Sequence, residues 1–280
     1  MKLKEIEKLY LKKLLDLYLK DEVKNIFFLV VNHLLKLDKI GFLSSKEFYI
    51  EEEVETKFRK ILLGLSRGCP IQYVLGEATF YNCKIELNKS VLIPRPETEE
   101  LVDWSLKHIN KKMNVLDLCT GSGCIAISIA KHVECIMDAI DISNKALMLA
   151  KKNASLNKVS INFIKKDILK KNILRPYKYD VIISNPPYVL KKNKSFLHKN
   201  VIDFEPHLAL FVNNENPFLF YQKIVSFSKN NLKNKGLLFF EINELFGNEI
   251  VNILDEEGFH KIKLKKDING KDRMIKAEMK

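Results

Sequence analysis

The stretch from Asn114 to Asp141 constrains the fold more than any other, because a strand, a glycine turn, a helix and a second strand are predicted there in close succession. The first strand spans 114–119, and a turn over 120–123 leads into an apolar helix over 124–132. The second strand, over 135–140, ends at Asp141. Two strands joined by a helix lie parallel in one sheet, so this unit predicts an α/β fold.

The rest of this part of the chain repeats the alternation of strands and helices. Apolar periodicity and turn residues predict further strands over 160–164, 179–183, 236–242, 259–265 and 273–277, and helices over 144–156, 217–229 and 247–257. Asn269-Gly270 separates the last two strands, as in an antiparallel pair. Together these elements predict a seven-stranded, Rossmann-like sheet with helices on both faces.

The first part of the chain has a different pattern. Apolar residues recur at helical spacing as far as Pro70, and no catalytic constellation appears there. A β-hairpin is predicted next, and the extended run Pro94-Arg95-Pro96 follows it. The sequence therefore predicts a helical domain over 1–75, a β-hairpin linker over 76–93 and an α/β domain over 94–280. The helical domain either recruits a partner or serves as a structural cap.

The glycine turn is suited to binding a ligand at the edge of the sheet. Glycine lets the backbone approach a ligand closely, and the helix that follows Gly123 presents free N–H groups. Asp141, at the end of the second strand, can accept hydrogen bonds from two ribose hydroxyls. This pattern predicts a cofactor that contains adenosine. It leaves both a nicotinamide dinucleotide and S-adenosylmethionine (SAM) open.

A second candidate site begins where the predicted strand 179–183 ends. Asn185 is followed by Pro186, Pro187 and Tyr188, and two prolines make an extended, rigid loop at the carboxyl end of a strand, where open α/β sheets hold ligands. The amide oxygen of Asn185 and the carbonyl of Pro186 can each accept one hydrogen of a planar NH2 group, while Tyr188 packs on its face. A structural proline-rich turn is the alternative from these four residues alone.

Charge, cysteine content and hydropathy narrow the class of protein. The formal net charge of +12 comes almost entirely from lysine, which fits either an acidic partner or compositional drift. Five cysteines without a CxxC spacing predict a cytoplasmic protein with neither disulfides nor a metal site. The apolar run over 26–31 is too short to span a bilayer, so no membrane association is expected.

Three further stretches carry a specific resemblance. Residues 70–77 (PIQYVLGE), residues 92–99 (LIPRPETE) and Glu205-Pro206 with Ala209-Leu210 join the glycine turn and the Asn-Pro-Pro-Tyr loop. In this combination the chain resembles the peptide-chain release factor glutamine methyltransferases, which are class I SAM-dependent methyltransferases. The resemblance is strong from Pro70 onward and faint near the amino terminus. It implies that 94–280 is a SAM-dependent methyltransferase domain and that 1–75 recruits the substrate.

The resemblance implies a reaction and a set of residues. The reaction is methylation, with SAM as cofactor, of the glutamine side-chain amide in the Gly-Gly-Gln motif of class 1 release factors. The expected partner is therefore a release factor; no direct nucleic-acid binding is expected, and the enzyme is expected to be a monomer. The implied cofactor-binding residues are Cys119, Thr120, Gly121, Ser122, Gly123, Asp141, Asp167, Ile168 and Asn185. The implied substrate-binding residues are Asn185, Pro186, Pro187, Tyr188, Arg95 and Glu205, of which Asn185, Pro186 and Tyr188 act in catalysis.

Arg95 and Glu205 each have two interpretations. Arg95 is one of only five arginines, and it is a candidate for a bidentate contact or for pinning a loop, which lysine could not replace. Glu205 either orients the substrate loop or accepts a structural hydrogen bond from backbone.

The chain departs from the family pattern at three positions. Cys119 stands where the family usually has glycine, so the turn is expected to sit slightly differently. Ile168 stands where an aromatic residue is common, so adenine would gain apolar contact without ring stacking. Asn243 stands where glycine is common. These departures concern cofactor affinity more than activity, because none removes a polar group that the chemistry needs.

No histidine or carboxylate adjoins the Asn-Pro-Pro-Tyr loop in the sequence. We therefore expect catalysis by alignment, with the proton leaving late to water or a carbonyl relay. Two other functions stay open. One is a nucleic-acid adenine amino-methyltransferase, because the exocyclic amine of adenine is also a planar NH2 group. The other is a release-factor binder without catalysis.

Overall fold

The computed structural model describes residues 1–170 and 179–280. The chain divides into two compact units. The first consists of Met1–Gly76 with His198–Phe204, and the second of Glu77–Leu197 with Glu205–Lys280. The hairpin that the sequence assigned to a linker belongs to the second unit. The domain bounds given above stay a prediction.

The amino-terminal part of the first unit is helical, and its core is built from apolar stripes at helical spacing. Its helices are α1 (Leu3–Leu14), α2 (Lys20–Leu35), α3 (Lys39–Ser44), α4 (Glu52–Ser66) and α5 (Ile71–Leu75). On α1 the buried residues are Leu3, Ile6, Tyr10 and Leu14, each three or four positions after the last, so they share one face. The buried Tyr10 hydroxyl donates to the carbonyl of Phe58 at 2.7 Å, which satisfies its polar group inside the core.

The second unit alternates strands and helices, as the sequence predicts. In chain order the next elements are β1 (Glu77–Phe80), β2 (Cys83–Glu86), α6 (Pro96–Leu106), β3 (Asn114–Leu118), α7 (Cys124–His132), β4 (Ile136–Asp141), α8 (Asn144–Leu156), β5 (Asn162–Lys165), β6 (Tyr179–Ser184), β7 (Val189–Leu190), a 3-10 helix (Lys191–Phe196), α9 (Lys199–Phe204, in the first unit), α10 (His207–Leu210), β8 (Phe211–Val212), α11 (Leu219–Asn231), β9 (Leu232–Glu241), α12 (Gly247–Glu256), β10 (Phe259–Lys266) and β11 (Asp272–Met279). Most predicted boundaries lie within two residues of these; β9 begins four residues earlier than predicted.

The main sheet of the second unit has seven strands in the order β10-β11-β9-β6-β3-β4-β5. The strands β9, β6, β3, β4 and β5 run parallel, and β11 and β10 are antiparallel to their neighbours. The predicted seven-stranded α/β fold is confirmed. The chain builds outward from β3 in one direction through β4 and β5, and in the other through β6 and β9. The crevice at the carboxyl ends of β3 and β6 is therefore the switch point at which such sheets bind ligands.

The small β1–β2 hairpin is held by two asparagines one turn apart, Asn153 on α8 and Asn157 directly after its end. Asn157 accepts from the backbone N–H of Lys84 and donates to its carbonyl, and Asn153 does the same with Glu86. Asn153 also donates to the carbonyl of Ser122 in the glycine turn at 3.0 Å. One buried side chain therefore ties the hairpin and the turn to the same helix. Across 1–170 and 179–280, no helix is long and apolar enough to cross a membrane.

Candidate active site

A cavity of about 1070 Å³ lies at the carboxyl ends of the central strands. The residues that follow β3, β4, β5 and β6 contribute to its wall because parallel strands end at the same edge of a sheet. Of the predicted site residues, those that line it are Cys119, Gly121, Asp141, Asp167, Ile168, Asn185 and Pro187. Within the described chain, the other predicted site residues do not line this cavity; they are Arg95, Thr120, Ser122, Gly123, Pro186, Tyr188 and Glu205.

The glycine turn after β3 takes backbone conformations that most residues avoid. Cys119, Gly121 and Gly123 have φ values of 63°, 56° and 81°, all in the left-handed region. Cys119 therefore adopts a conformation typical of glycine, the residue that the family pattern has there. The Thr120 hydroxyl donates to the carboxylate of Asp117 at 2.5 Å. Asp117 is fully buried, and this burial raises its pKa to about 7.

Asp141 connects the end of β4 to the glycine turn. One carboxylate oxygen accepts from the N–H of Gly121 and the other from the N–H of Ser143, both at 2.8 Å. Burial raises the pKa of Asp141, and these backbone donors oppose the rise because they stabilise the charged form. Asp141 lines the cavity, and a carboxylate oxygen has more than one lone pair with which to accept.

The part of the cavity beyond Asp141 is suited to a flat, largely apolar group. Ile140, Ile142, Leu149 and Ile168 all line it. Ile168 is buried and belongs to the core cluster of the unit. A methyl group added at Gly121 would meet no heavy atom within 4 Å, so the backbone there faces open space. A carboxylate, an apolar wall and an accessible backbone are features that the predicted adenosine-containing cofactor requires of its site.

Asn185 leads into a chain of hydrogen bonds that the sequence reasoning missed. Its side-chain N–H2 donates to the hydroxyl of Thr98 at 3.2 Å. Thr98 donates to one carboxylate oxygen of Glu241 at 2.6 Å, and the hydroxyl of Tyr188 donates to the other at 3.1 Å. Among the described residues, the amide oxygen of Asn185 has no hydrogen-bond partner. It is therefore available to a ligand in the cavity that Asn185 lines.

Glu241 and Thr98 come from distant parts of the chain. Thr98 lies in the first turn of α6, and Glu241 is the last residue of β9, whose carboxyl end is next to that of β6. Both side chains are buried. Burial raises the pKa of Glu241, although the hydroxyls of Thr98 and Tyr188 and the charge of Arg273 oppose the rise. A signal was present in the sequence: Glu241 is a single carboxylate in the apolar run 237–242.

Tyr188 and Asn243 belong to the same network. The expectation for Tyr188 was ring packing on a ligand NH2 group, whereas its hydroxyl bonds to Glu241 and its ring does not line the cavity. Burial raises the pKa of Tyr188, and the nearby charge of Glu241 raises it further. The Asn243 side chain donates to the Tyr188 carbonyl at 3.3 Å, a contact that glycine, common at this position, could not make.

Arg95 and Glu205 form an ion pair with each other beside this network. Glu205 is buried, and its second oxygen accepts from the N–H of Ile93 at 3.2 Å. The pair therefore fixes the extended segment that precedes α6 and Thr98. This geometry matches the two structural interpretations of the sequence, loop pinning by Arg95 and a backbone hydrogen bond to Glu205.

The sequence is similar to one family model and to curated proteins over nearly its whole length. The family model of the methyltransferase small domain matches residues 100–205. The release factor glutamine methyltransferase of Flavobacterium psychrophilum is 42% identical over 283 residues, which cover 99% of both chains. The protein of the same name from Bacteroides thetaiotaomicron is 36% identical over 94% of this chain and 95% of its own.

Solved structures share the fold at low identity. A methyltransferase from Pyrococcus furiosus matches 69% of this chain and 87% of its own with a TM-score of 0.52 and 18% identity. The 16S rRNA N2 G1207 methyltransferase of Thermus thermophilus, solved with AdoMet and guanosine, matches 73% of this chain and 50% of its own with a TM-score of 0.52 and 14% identity. At these identities the likeness concerns the fold alone.

Proposed function

The chain belongs to the release factor glutamine methyltransferase family, and on that basis we propose that it methylates, with SAM, the side-chain amide nitrogen of the glutamine in the Gly-Gly-Gln motif of class 1 release factors. The observation that carries the proposal is the geometry of Asn185. One N–H of its NH2 group donates to Thr98, and its amide oxygen, which has no hydrogen-bond partner among the described residues, would act as an acceptor in the cavity that Asn185 lines. An acceptor is what a substrate carboxamide N–H requires.

The cofactor part of the proposal rests on the residues after β3, β4 and β5. Bound SAM would supply an activated methyl group on a sulfonium, so the protein has to supply alignment rather than activation. Asp141 would accept the ribose hydroxyls, and the turn over 119–123 would border the methionine part. Asp167 and Ile168 would border adenine, with apolar contact from Ile168.

The substrate part of the proposal rests on the acceptor at Asn185. The amide oxygen of Asn185 would take one hydrogen of the glutamine NH2 group; the predicted second acceptor, the carbonyl of Pro186, belongs to a residue that does not line the cavity in the ligand-free chain. Holding the nitrogen in line with the methyl group can contribute about 7–11 kcal/mol in favourable cases. Acceptors that strengthen as positive charge develops on nitrogen stabilise the transition state more than the ground state.

Arg95, Glu205, Pro187 and Tyr188 complete the proposed substrate side. Pro187 lines the cavity and would limit how the glutamine enters. Arg95 and Glu205 would act indirectly by holding the segment that carries Thr98. Tyr188 would act through Glu241.

Asn185→Ala tests the proposal directly. We expect loss of methyl transfer, because the acceptor is removed, and a SAM dissociation constant within about threefold of the native value. Methylation is measured by mass spectrometry of the glutamine-containing peptide of a release factor, and binding by calorimetric titration. The matched control is Asn162→Ala, which changes an exposed asparagine at the amino end of β5, at the opposite edge of the sheet.

The same assay separates the proposal from the alternatives. Methylation of duplex DNA with no methylation of release factor would favour an adenine amino-methyltransferase. Full turnover by Asn185→Ala would remove the proposed role of that residue. SAM binding without transfer to any of these substrates would point to a binder without catalysis.

A further inference from the structure

We propose that Glu241 and Thr98 are positioning residues that fix which end of the Asn185 side-chain amide faces the cavity. Asn185 can turn about its last side-chain bond and present either its oxygen or its NH2 group, and only the oxygen can accept a hydrogen bond from a substrate amide. The catalytic consequence of this positioning rests on the proposed function. The positioning itself concerns the chain without ligand.

The direction of each hydrogen bond in the network follows from the number of protons that each group can donate. An ionised carboxylate has no proton to donate, so Glu241 can only accept. Its two oxygens accept from Thr98 at 2.6 Å and from Tyr188 at 3.1 Å. The single hydroxyl proton of Thr98 is thereby used, and the Thr98 oxygen can only accept from Asn185. It therefore selects the NH2 group of Asn185 and leaves the amide oxygen toward the cavity.

Replacing the carboxylate with a neutral donor would remove this selection. A glutamine at position 241 could donate its own N–H to the Thr98 oxygen. The Thr98 proton would then be free to donate to the amide oxygen of Asn185. Asn185 would turn its NH2 group toward the substrate, where two NH2 groups repel one another. The charge of Glu241, rather than its size, is the property on which the orientation depends.

The surroundings of Glu241 act on its charge in both directions, and on balance burial raises its pKa. Burial disfavours its charge, and nearby Glu97 also does so, but the Thr98 and Tyr188 hydroxyls and the Arg273 guanidinium favour it. The Tyr221 hydroxyl donates to the backbone carbonyl of Glu241 at 3.4 Å, which holds the end of β9. Arg273 is itself held by Asp267 at 3.1 Å. These groups come from α6, β6, α11, β9 and β11 and the segments next to them, so they enclose the carboxylate from several elements.

Three variants test the positioning. Thr98→Val keeps the side-chain shape and removes the hydroxyl, Thr98→Ser keeps the hydroxyl, and Glu241→Gln keeps the shape and removes the charge. We expect Thr98→Val and Glu241→Gln to lower kcat by about a hundredfold, because misplacement of a catalytic group has effects of that size. Their SAM dissociation constants should stay within about threefold of the native value. Thr98→Ser should recover most of the activity.

The matched control is Ser105→Ala on the same helix. Ser105 is also fully buried, and its hydroxyl donates only to the carbonyl of Val102 one turn earlier. It therefore reports the cost of losing a buried hydroxyl on α6 outside the network. A loss of kcat in Ser105→Ala as large as that in Thr98→Val would overturn the positioning role, because both losses would then be structural.

A measurement on the ligand-free protein tests the positioning independently of activity. In ¹H–¹⁵N spectra, exchange of the Asn185 side-chain amide protons with solvent should be about tenfold faster in Thr98→Val than in the native chain, because the hydrogen bond that protects them is lost. Thr98→Ser and Ser105→Ala should leave the exchange unchanged. Asn185→Asp, which lacks this NH2 group, identifies the signals.

The two readouts separate the two proposals. If the native chain does not methylate release factor and the exchange of the Asn185 amide responds as expected, the proposed function is wrong and the positioning holds. If the native chain methylates release factor and Thr98→Val keeps both its kcat and its amide protection, the positioning is wrong and the proposed function holds.

Discussion

The glycine turn offers a quantitative test, because Gly121 and Gly123 share a backbone conformation and differ in their surroundings. Both have left-handed φ, which costs an L-residue about 1–2 kcal/mol. A methyl group at Gly121 would meet nothing within 4 Å, whereas at Gly123 it would lie 3.1 Å from the side chains of Ala150 and Ile127. Overpacking of that kind adds about 1–3 kcal/mol. Alanine also restricts the unfolded chain more than glycine does, which offsets about 0.4–1 kcal/mol of the lost stability in both variants.

We therefore expect Gly121→Ala to lower the free energy of unfolding by at most about 1.6 kcal/mol, and Gly123→Ala to lower it by about 1–3 kcal/mol more than Gly121→Ala does. Trp104 is the only tryptophan, and its ring contacts Phe239 of β9 edge-on at 5.6 Å. Urea unfolding followed by tryptophan fluorescence therefore reports on the second unit, which contains both glycines. Gly258→Ala is the control, because Gly258 has left-handed φ and open space in the same unit but does not line the cavity.

Gly121→Ala, the variant expected to lose less stability, is the one expected to weaken SAM binding. Gly121 lines the cavity, so the added methyl group of Gly121→Ala should weaken SAM binding in calorimetric titration, while Gly258→Ala should not. If Gly123→Ala unfolds at the same urea concentration as Gly121→Ala, the close packing of the turn on α8 is not what the distances indicate. If Gly121→Ala binds SAM like Gly258→Ala, the cofactor does not lie against the turn.

Two further predictions concern the same turn. Cys119→Gly should keep the SAM dissociation constant within about threefold in calorimetric titration, because Cys119 already has a φ typical of glycine; a larger change would mean that the thiol itself contacts the cofactor. The second prediction concerns Asp117→Asn. The free energy of unfolding of this variant minus that of the native chain should rise as pH rises from about 4 to about 7, and should then stay constant. Burial raises the pKa of Asp117 from 3.8 to about 7 in the folded state. Between these pH values the folded native chain keeps a proton that the unfolded chain has lost, so the free energy of unfolding of the native chain falls as pH rises. The total loss is up to about 4 kcal/mol. Urea unfolding of both chains at several pH values measures the difference, and a constant difference across this range would contradict the buried-carboxyl explanation.

The fold could be predicted because its signals are local. The apolar strands, the glycine turn and the intervening helices each show in a short window, and parallel pairing follows from their alternation. The residues proposed to hold the cofactor could also be found from local signals, because Gly121 and Asp141 each lie at or just after the end of a predicted strand. The bounds of β9 were less accurate, since its first residues, Leu232 to Lys235, lack an apolar pattern.

The proposed substrate side of the cavity could be predicted only in part, because its polar contacts join distant segments. Asn185 was found from its two prolines, but Thr98 is 87 residues away and Glu241 is 143 residues from Thr98. No local window contains both members of either pair. No carboxylate adjoins the Asn-Pro-Pro-Tyr loop along the sequence, as stated above. The sheet nevertheless brings Glu241 within two hydrogen bonds of Asn185, because β9 and β6 are parallel neighbours.

The cavity is therefore held by two sets of side chains that have different consequences. Asp141 and Asn153 fix the glycine turn through its backbone, and changes there should act on SAM affinity. Thr98 and Glu241 fix the amide of Asn185, and changes there should act on kcat. The two sets share the sheet edge but no side chain. A variant of one set that altered mainly the parameter assigned to the other would show that alignment and cofactor binding are not separable in this fold.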